Sequence, residues 1–341
     1  MKVLCFSSFT FSYLNRARVL YRSLRQHHPD WHLVALVVDR PPDGIVLDPE
    51  NEDFDRVVYA DQLDIPDVRA WLFRHNIVEA CTAVKGPFLR LACDMGADAV
   101  VYLDPDTALL NPLDTVTDAL RDHDGVLTPH MLEPEETLQA ILDNEQATLR
   151  TGIFNLGFLA IRTTAEGRRF AAWWSDRLLR FCYDDIPSGL FVDQRWCDHI
   201  PAFFPTFTVL RDPGCNVASW NLSRRTVRID WEGRITVNGS PLRFWHFTKL
   251  GPIGDIMTRR YAGANFEVHE IWNWYKREID AATDPRIPTG YWHYGQYGDG
   301  VPIPAADRGL YRTRQDLQAA FPDPFASGPG SYQAWLAEST E

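Results

Sequence analysis

One short stretch constrains the fold of this chain more than any other: an apolar run that leads directly into two carboxylates. The run is Val100–Leu103, and Asp104, Pro105 and Asp106 follow it. A continuous apolar run of this length that ends in a turn signal is typical of a buried strand in a parallel sheet. In open α/β sheets, ligands bind at the carboxyl edge of the strands. The sequence therefore predicts an α/β fold with a candidate site at this edge.

The spacing of the two aspartates predicts a bound cation. Side chains alternate along an extended chain, so Asp104 and Asp106 share a side. Two carboxylates on one side repel each other unless one is protonated or a cation lies between them. Mg²⁺ and Mn²⁺ are hard ions that take oxygen ligands and commonly carry substrate phosphates. The alternative is a solvated turn, because Asp-Pro-Asp is also ordinary turn chemistry, and these residues alone leave both hypotheses open.

The first forty residues predict the opening of a nucleotide-binding βαβ unit. Apolar strands are expected over residues 3–6 and 33–38, with an amphipathic helix over residues 13–26 between them. The polar and aromatic residues 7–12 are expected to form a loop. The chain contains no Gly-x-Gly-x-x-Gly motif, so a dinucleotide-binding fold is not supported.

Two further helices and one hairpin are predicted later in the chain. A helix is predicted over residues 67–84. A short helix over residues 192–199 would carry Asp193 and Gln194. The pair Asn238-Gly239 predicts the turn of a hairpin.

Charge and cysteine usage exclude several classes of protein. The formal net charge of −12 argues against sequence-independent nucleic-acid binding, which needs clustered Lys and Arg. An anionic substrate would need a metal ion or local cations. No stretch of about 18 apolar residues occurs, so no transmembrane segment is expected. The six cysteines form no Cys-x-x-Cys pair and the first apolar run is too short for a secretory signal, which together predict reduced thiols in a cytoplasmic protein.

Several short motifs occur in order along the chain. They are residues 19–25, Arg90-Leu91, residues 102–107 with Asn111-Pro112, Phe154-Asn155-Leu156-Gly157, Asp193-Gln194 and His246-Phe247. In this order and spacing they resemble GT-A fold nucleotide-sugar glycosyltransferases, and family 8 (glycogenin-like and bacterial galactosyltransferase-like enzymes) in particular. The resemblance covers residues 1–255 as a catalytic domain. It implies a Rossmann-like GT-A fold with a mixed, mainly parallel sheet flanked by helices, followed by an aromatic-rich C-terminal extension over residues 256–341.

The resemblance also implies an activity. A sugar would pass from a nucleoside diphosphate sugar, with UDP as the family default, to a saccharide or glycoconjugate acceptor, with retention of configuration. Enzymes of this kind serve polysaccharide biosynthesis, and peripheral membrane association is compatible with the sequence. Mn²⁺ or Mg²⁺ would be held by Asp104, Asp106 and His246. The catalytic residues implied by the family motifs are Asn155, Asp193 and Gln194.

The donor-binding residues implied by the resemblance come from several segments. They are Ser7, Thr10, Tyr13, Asp39, Arg90, Asp104, Lys249 and Gly251. The loop from Ser7 to Tyr13 departs from the family's Thr-containing loop, so base binding stays open among its members. Thr248-Lys249-Leu250-Gly251-Pro252 departs from the family order after the histidine, so Lys249 reaches the diphosphate only if its register matches.

Three alternatives stand beside these hypotheses. A catalytically inactive carbohydrate-binding protein could share the fold. A haloacid dehalogenase-type phosphohydrolase also opens with an apolar strand and Asp-x-Asp, but it places Thr or Val where this chain has Ala108. His246, flanked by Trp245 and Phe247, would on its own be a buried structural histidine. Most aromatic residues of the extension are expected to be packing anchors, with the loop over residues 291–298, including Trp292, as the candidate acceptor contact.

Overall fold

The structure, a computed structural model, describes residues 1–339 and is built around one large β-sheet. Its strands are β1 Val3–Phe9, β2 His32–Val37, β3 Arg56–Tyr59, β4 Ala99–Leu103, β5 Thr107–Leu109, β6 Gly125–Pro129, β7 Phe154–Arg162, β8 Asp184–Asp185, β9 Leu190–Phe191, β10 Phe207–Val209, β11 Val227–Ile229, β12 Ile235–Val237, β13 Ser240–Pro241 and β14 Phe244–His246. Its helices are α1 Leu14–His27, α2 Val68–Phe73, α3 Ile77–Ala83, α4 Lys85–Ala92, α5 Asp114–Asp122, α6 Leu138–Ala140, α7 Gln146–Thr151, α8 Ala165–Phe181, α9 Ile200–Phe203, α10 Pro252–Ala262, α11 Phe266–Ala282, α12 Ala305–Thr313, α13 Gln315–Ala320 and α14 Tyr332–Ser339.

The large sheet is mixed and mainly parallel. Its seven strands lie in the order β10-β6-β7-β4-β1-β2-β3. β7 pairs antiparallel with both β4 and β6, and the other pairings in the sheet are parallel. Helices cover the sheet and an aromatic-rich segment follows it, so the predicted α/β class is confirmed.

The strand that precedes the two aspartates is buried on both faces, as its apolar sequence predicts. Val100 and Tyr102 belong to one core cluster, and Val101 and Leu103 belong to a second cluster on the opposite face. Burial of an aliphatic side chain of this size contributes about 1.5–3 kcal/mol. Packing on both faces therefore fixes the position of β4, and with it the point at which Asp104 leaves the sheet.

The first strand is longer than the sequence predicts. Residues 7–12 were expected to form a loop, but β1 continues to Phe9, so Ser7 and Ser8 are buried strand residues. Ser8 Oγ donates to the carbonyl oxygen of Cys81 at 2.7 Å. A hydroxyl that finds an acceptor inside the fold costs little to bury, so the strand accommodates Ser8.

Two predicted helices also differ from the structure. The helix predicted over residues 67–84 is divided into α2 and α3, because Asn76 accepts hydrogen bonds from the amides of Val78 and Glu79 and begins a new helix. The helical turn predicted from residue 192 begins only at Arg195. Asp193 and Gln194 therefore lie in the connection before it. The hairpin prediction is confirmed, with Asn238 and Gly239 at φ 50° and 85° between β12 and β13.

The C-terminal segment shares a core with the sheet domain. Its buried aromatic residues in that shared cluster are Tyr294, Tyr297, Tyr311, Phe325 and Tyr332. Arg308 fastens the segment to the sheet domain, donating to the carbonyl oxygens of Phe73 and His75 at 3.0 and 2.9 Å. The division predicted at residue 255 falls inside α10. Within residues 1–339, no helix combines the length and the apolar character needed to cross a bilayer.

Candidate functional site

Strand pairing brings His246 to the two aspartates from a distant part of the chain. The chain turns at Asp104, Pro105 and Asp106 and enters β5, which pairs antiparallel with β14. In this register His246 lies opposite Thr107. The amide of Phe247 donates to the carbonyl oxygen of Asp106 at 2.7 Å, which continues the pairing to the aspartates themselves.

The three side chains form a compact group of potential metal ligands. His246 Nε2 lies 3.1 Å from Asp106 Oδ1 and 3.5 Å from Asp104 Oδ2. One ligand atom from each residue lies within 4.8 Å of the others. Among residues 1–339, this is the one group of three or more His, Cys, Asp or Glu side chains close enough to share an ion. Two carboxylates and one imidazole form a donor set that suits Mn²⁺ or Mg²⁺.

The charges in this group stabilise one another. Burial lowers the pKa of His246, but Asp106 and Asp104 raise it, and the net pKa lies above the ordinary value. Burial raises the pKa of Asp106, while His246 lowers it to below the usual value. The pocket thus favours positive charge between the carboxylates, either as a proton on the imidazole or as a divalent cation beside the neutral ring.

A chain of hydrogen bonds fixes which nitrogen of His246 faces the aspartates. The carbonyl oxygen of Ile153 can only accept, so His130 Nδ1 donates to it at 3.2 Å. Burial lowers the pKa of His130 to about 4, so its ring is neutral and Nε2 accepts from Asn155 Nδ2 at 3.2 Å. Asn155 Oδ1 then faces His246 Nδ1 at 3.2 Å and accepts a hydrogen bond from it. When the imidazole is neutral, its one proton is therefore on Nδ1, and Nε2 presents a lone pair toward the aspartates, as a metal ligand requires.

The glycine of the Phe154-Asn155-Leu156-Gly157 motif has a steric role. A Cβ atom at Gly157 would lie 2.4 Å from His246 Cε1 and 2.8 Å from Asn155 Oδ1. Real Cβ atoms do not approach other atoms this closely. Gly157 therefore allows the imidazole and the amide to lie against β7.

The basic residue at the site is Lys85, which the sequence analysis missed. Lys85 Nζ lies 3.1 Å from Asp104 Oδ1, 2.9 Å from Asp193 Oδ2 and 3.1 Å from the carbonyl oxygen of Leu156. Burial lowers the pKa of Lys85, but Asp104 and Asp193 outweigh it and hold the pKa well above its usual value. Arg90, which the resemblance implies, lies five residues later at an exposed position of the same helix. The one sequence feature that could have indicated its role is a lysine among the mostly apolar residues at the start of α4.

Two cavities meet at this cluster. Cavity A, of about 240 Å³, is lined by Phe9, Thr10, Tyr13, Ile77 and Cys81 among others. Cavity B, of about 530 Å³, is lined by His130, Asn155, Asp193, Gln194, Trp220 and His246 among others. The residues that line both are Val78, Thr82, Lys85 and Asp104. The two cavities therefore form one groove with the charged cluster at its middle.

The structure brings most of the predicted site residues to this groove. Thr10, Tyr13, Asp104 and Asp106 line cavity A. Asn155, Asp193, Gln194, His246 and Lys249 line cavity B. The four that line neither cavity are Ser7, Asp39, Arg90 and Gly251. Gly251 begins α10 with φ 129°, a conformation that favours glycine, and Ser7 is buried within β1.

The amide of Gln194 is committed to the protein itself. Its Oε1 accepts from the amide of Leu156 at 3.2 Å, and its Nε2 donates to the carbonyl oxygen of Thr151 at 2.8 Å. The side chain thus fastens the connection before the Arg195 turn to β7. It presents the remaining lone pair and proton of the amide to cavity B.

Trp292 packs rather than facing the groove. Its Nε1 donates to the carbonyl oxygen of Val38 at 3.1 Å, and the Arg308 guanidinium stands 4.9 Å from its ring centre. It lines neither cavity A nor cavity B. The ring anchors the extension next to the end of β2, and the acceptor contact of this loop stays a prediction.

Asp39 joins three segments through one buried carboxylate. It accepts hydrogen bonds from the amides of Phe11, Arg40 and His293 at 3.1, 3.0 and 2.7 Å. The three amides lower its pKa, but burial outweighs them and raises the pKa of Asp39 to about 7. This aspartate thus ties the C-terminal extension to the end of β2.

Asp39→Asn is expected to change how stability depends on pH. Below about pH 4, folded and unfolded wild-type chains both hold this proton. Between about pH 4 and the folded-state pKa of about 7, the unfolded chain releases it and the folded chain keeps it, so the wild type loses stability as pH rises. Relative to the variant, the free energy of unfolding of the wild type should fall by about 1.4 kcal/mol for each pH unit within this window. Urea unfolding at a series of pH values measures this difference. A difference that stays constant would show that the three amides keep Asp39 ionised.

Comparison of the sequence with known proteins gives distant relatives of undefined function. No family model matches the chain. The uncharacterised protein YfnF of Bacillus subtilis (strain 168) is 26% identical over 247 residues, which cover 69% of this chain and 77% of YfnF. The uncharacterised protein YfnD of the same organism is 25% identical over 317 residues, covering 91% of this chain and 88% of YfnD.

Comparison with solved structures gives remote likenesses. The galactosyltransferase LgtC in complex with donor and acceptor sugar analogues has a TM-score of 0.49 at 16% identity, covering 84% of this chain and 97% of LgtC. The glycosyltransferase GlyE of Streptococcus pneumoniae TIGR4 has a TM-score of 0.44 at 14% identity, covering 82% of this chain and 64% of GlyE. Mouse xyloside xylosyltransferase 1 has a TM-score of 0.41 at 15% identity, covering 74% and 99%. At these values the similarity assigns no function by itself.

Proposed function

We propose that this chain is a metal-dependent glycosyltransferase of the GT-A type, which transfers a sugar from a nucleoside diphosphate sugar to a saccharide or glycoconjugate. The observation that carries the proposal is the continuous groove of cavities A and B with a charged cluster at their junction. A nucleotide sugar has the same order of parts, with a base at one end, a diphosphate in the middle and a sugar at the other end.

Cavity A suits a nucleoside. Its walls combine apolar and aromatic groups, from Phe9, Tyr13 and Ile77, with the hydroxyl of Thr10. Such a mixture is typical of small-molecule sites, where a few polar groups fix the orientation of a largely apolar ligand. We take UDP as the donor nucleotide from the family resemblance.

The middle of the groove suits a diphosphate. Asp104, Asp106 and His246 would hold Mn²⁺ or Mg²⁺, which when bound neutralises the charge of a leaving diphosphate as a Lewis acid. Lys249 lines cavity B, is exposed, and forms no ion pair with another residue in the 1–339 range. Its ammonium is therefore free to meet a phosphate and to add fixed positive charge where negative charge develops.

The polar wall of cavity B suits the transferred sugar. The Asn155 and Gln194 amides offer hydrogen bonds to sugar hydroxyls. Hydrogen bonds within the fold hold both of them, Asn155 through His130 and Asn216 and Gln194 through Leu156 and Thr151. Asp193 lines the cavity beside Lys85 and would stabilise positive charge on the anomeric carbon. The family resemblance adds retention of configuration, which NMR of the initial product would decide.

A panel of donors tests the proposal directly. UDP-, GDP-, CMP- and TDP-sugars would each be incubated with the protein and Mn²⁺, Mg²⁺ or EDTA. At least one donor should be hydrolysed slowly without an acceptor, and EDTA should abolish the hydrolysis, because the leaving diphosphate then loses its neutralising charge. The free sugars and nucleoside diphosphates serve as controls for product detection. Binding of a saccharide without hydrolysis of any donor would favour the inactive carbohydrate-binding alternative instead.

A further inference from the structure

A third cavity next to the groove contains a concentration of arginine that the proposed function does not use. Cavity C, of about 310 Å³, is lined by Arg211, Arg224, Arg225, Glu133 and Glu135 among others. Met131 lines both cavity B and cavity C. Asn144, on the wall of cavity B, donates to Glu135 Oε1 at 2.7 Å. The two cavities therefore lie next to each other and share part of a wall.

Arg225 is a buried cation without a counter-ion. Its side chain is 5% exposed, and its hydrogen bond is from Nη1 to the carbonyl oxygen of Cys215 at 2.8 Å. Among residues 1–339, no carboxylate forms an ion pair with it, and the nearby Asp212 is bound to Arg243 Nε at 2.9 Å. Burial lowers the pKa of Arg225 to about 10, because the surroundings of the guanidinium disfavour its charged form. A buried charge is costly unless it is paired, so this guanidinium is poised for an anion.

The other charged residues of cavity C do not neutralise Arg225, so the cavity can still bind an anion. Arg211 is exposed and forms no ion pair within the described chain. Arg224 is already paired, with Glu133 at 3.0 Å and Glu136 at 2.7 Å. Glu135 Oε1 accepts from Asn144 and from Ser223 Oγ, while Oε2 has no donor among residues 1–339. The cavity thus offers two unpaired guanidinium groups and one carboxylate oxygen that accepts a hydroxyl.

We propose that cavity C binds an anionic group of the acceptor, a carboxylate or a phosphate ester on a saccharide. The guanidinium groups of Arg225 and Arg211 match the planar or tetrahedral oxygens of such a group and bind them through paired N–H donors. Glu135 Oε2 accepts a hydroxyl of the same sugar. The acceptor part of this inference rests on the proposed function, whereas anion binding in cavity C does not.

Calorimetry without metal or nucleotide tests the site on its own. The probes are glucuronate, glucose 6-phosphate, inorganic phosphate and glucose as the neutral control. We expect glucuronate or glucose 6-phosphate to bind at least about tenfold more tightly than both glucose and inorganic phosphate, a difference of about 1.4 kcal/mol. Arg211→Ala and Arg225→Lys should each weaken that binding by about tenfold. Arg277→Ala, at an exposed arginine on α11 outside the cavity, should leave it unchanged.

The outcomes separate this inference from the proposed function. Equal binding of glucose and the anionic sugars, or unchanged binding in Arg211→Ala, would overturn the anion site even if Arg225→Lys failed to fold. Inorganic phosphate binding as tightly as the sugars would overturn the acceptor assignment and leave a free-anion site. A protein that binds glucuronate in cavity C but hydrolyses no donor would overturn the proposed function alone.

Discussion

Asp106→Ala is expected to lower metal-dependent hydrolysis of the donor by about 100-fold or more while the chain stays folded. Asp106 Oδ1 lies 3.1 Å from His246 Nε2 and is closer to it than Asp104 Oδ2 at 3.5 Å. Removing it takes one of three ligand atoms from the cation that neutralises the leaving diphosphate. The variant also loses the stabilising contact with His246, so the melting temperature must be measured beside the activity to show that the chain stays folded.

Three measurements on the same variant decide this prediction. They are the rate of donor hydrolysis with saturating Mn²⁺, the affinity for Mn²⁺ by calorimetry and the melting temperature. Asp118→Ala is the matched control, because Asp118 is an exposed aspartate on α5 that is paired with Arg121 at 3.4 Å. If Asp106→Ala binds Mn²⁺ and hydrolyses donor as Asp118→Ala does, the metal assignment is wrong.

Lys85→Met is expected to lower the free energy of unfolding by about 3–5 kcal/mol, the usual cost of breaking a buried ion pair from one side. The methionine side chain fills a similar volume, so the change removes mainly the charge. Asp104 and Asp193 would then face each other in a buried pocket without the ammonium that lies 3.1 and 2.9 Å from them. Donor hydrolysis should fall as well, because Asp104 would lose the contact that orients it.

Urea unfolding separates this effect from an ordinary loss of charge. Lys276→Met is the matched control, because Lys276 pairs with Asp255 at 3.0 Å on a partly exposed surface, where such pairs contribute about 0–1 kcal/mol. The double variant Lys85→Met/Asp193→Asn should recover part of the lost stability, since it removes the unpaired carboxylate. A loss no larger for Lys85→Met than for Lys276→Met would contradict the buried ion-pair network.

The part of the site that follows one strand could be predicted from sequence. The apolar run before Asp104 is local information, and it correctly places two aspartates at the carboxyl edge of a sheet. Asp39 follows a buried strand in the same way, yet the amide of His293 reaches it from the distant C-terminal segment and takes up one of its oxygens. The local pattern is the same at both positions, and only the tertiary contact distinguishes them.

Lys85 could not be predicted because its role depends on the packing of separate elements. Its ammonium meets Asp104 after β4, Asp193 before the Arg195 turn and the carbonyl oxygen of Leu156 in β7. No spacing within the sequence relates these three. The division of the predicted helix over residues 67–84 has a local cause, since Asn76 followed three residues later by Glu79 is a capping pattern.

The pairing of β5 with β14 also sets the time at which the site can form during biosynthesis. A ribosome-bound chain that has emerged only as far as β13 already carries Asp104 and Asp106 but has no imidazole to place beside them. Pairing between segments this far apart must wait for the intervening chain and for the entropy of closing a long loop. Cation affinity therefore appears late in synthesis, and an ion that binds only the finished fold stabilises the completed chain over its unfinished forms.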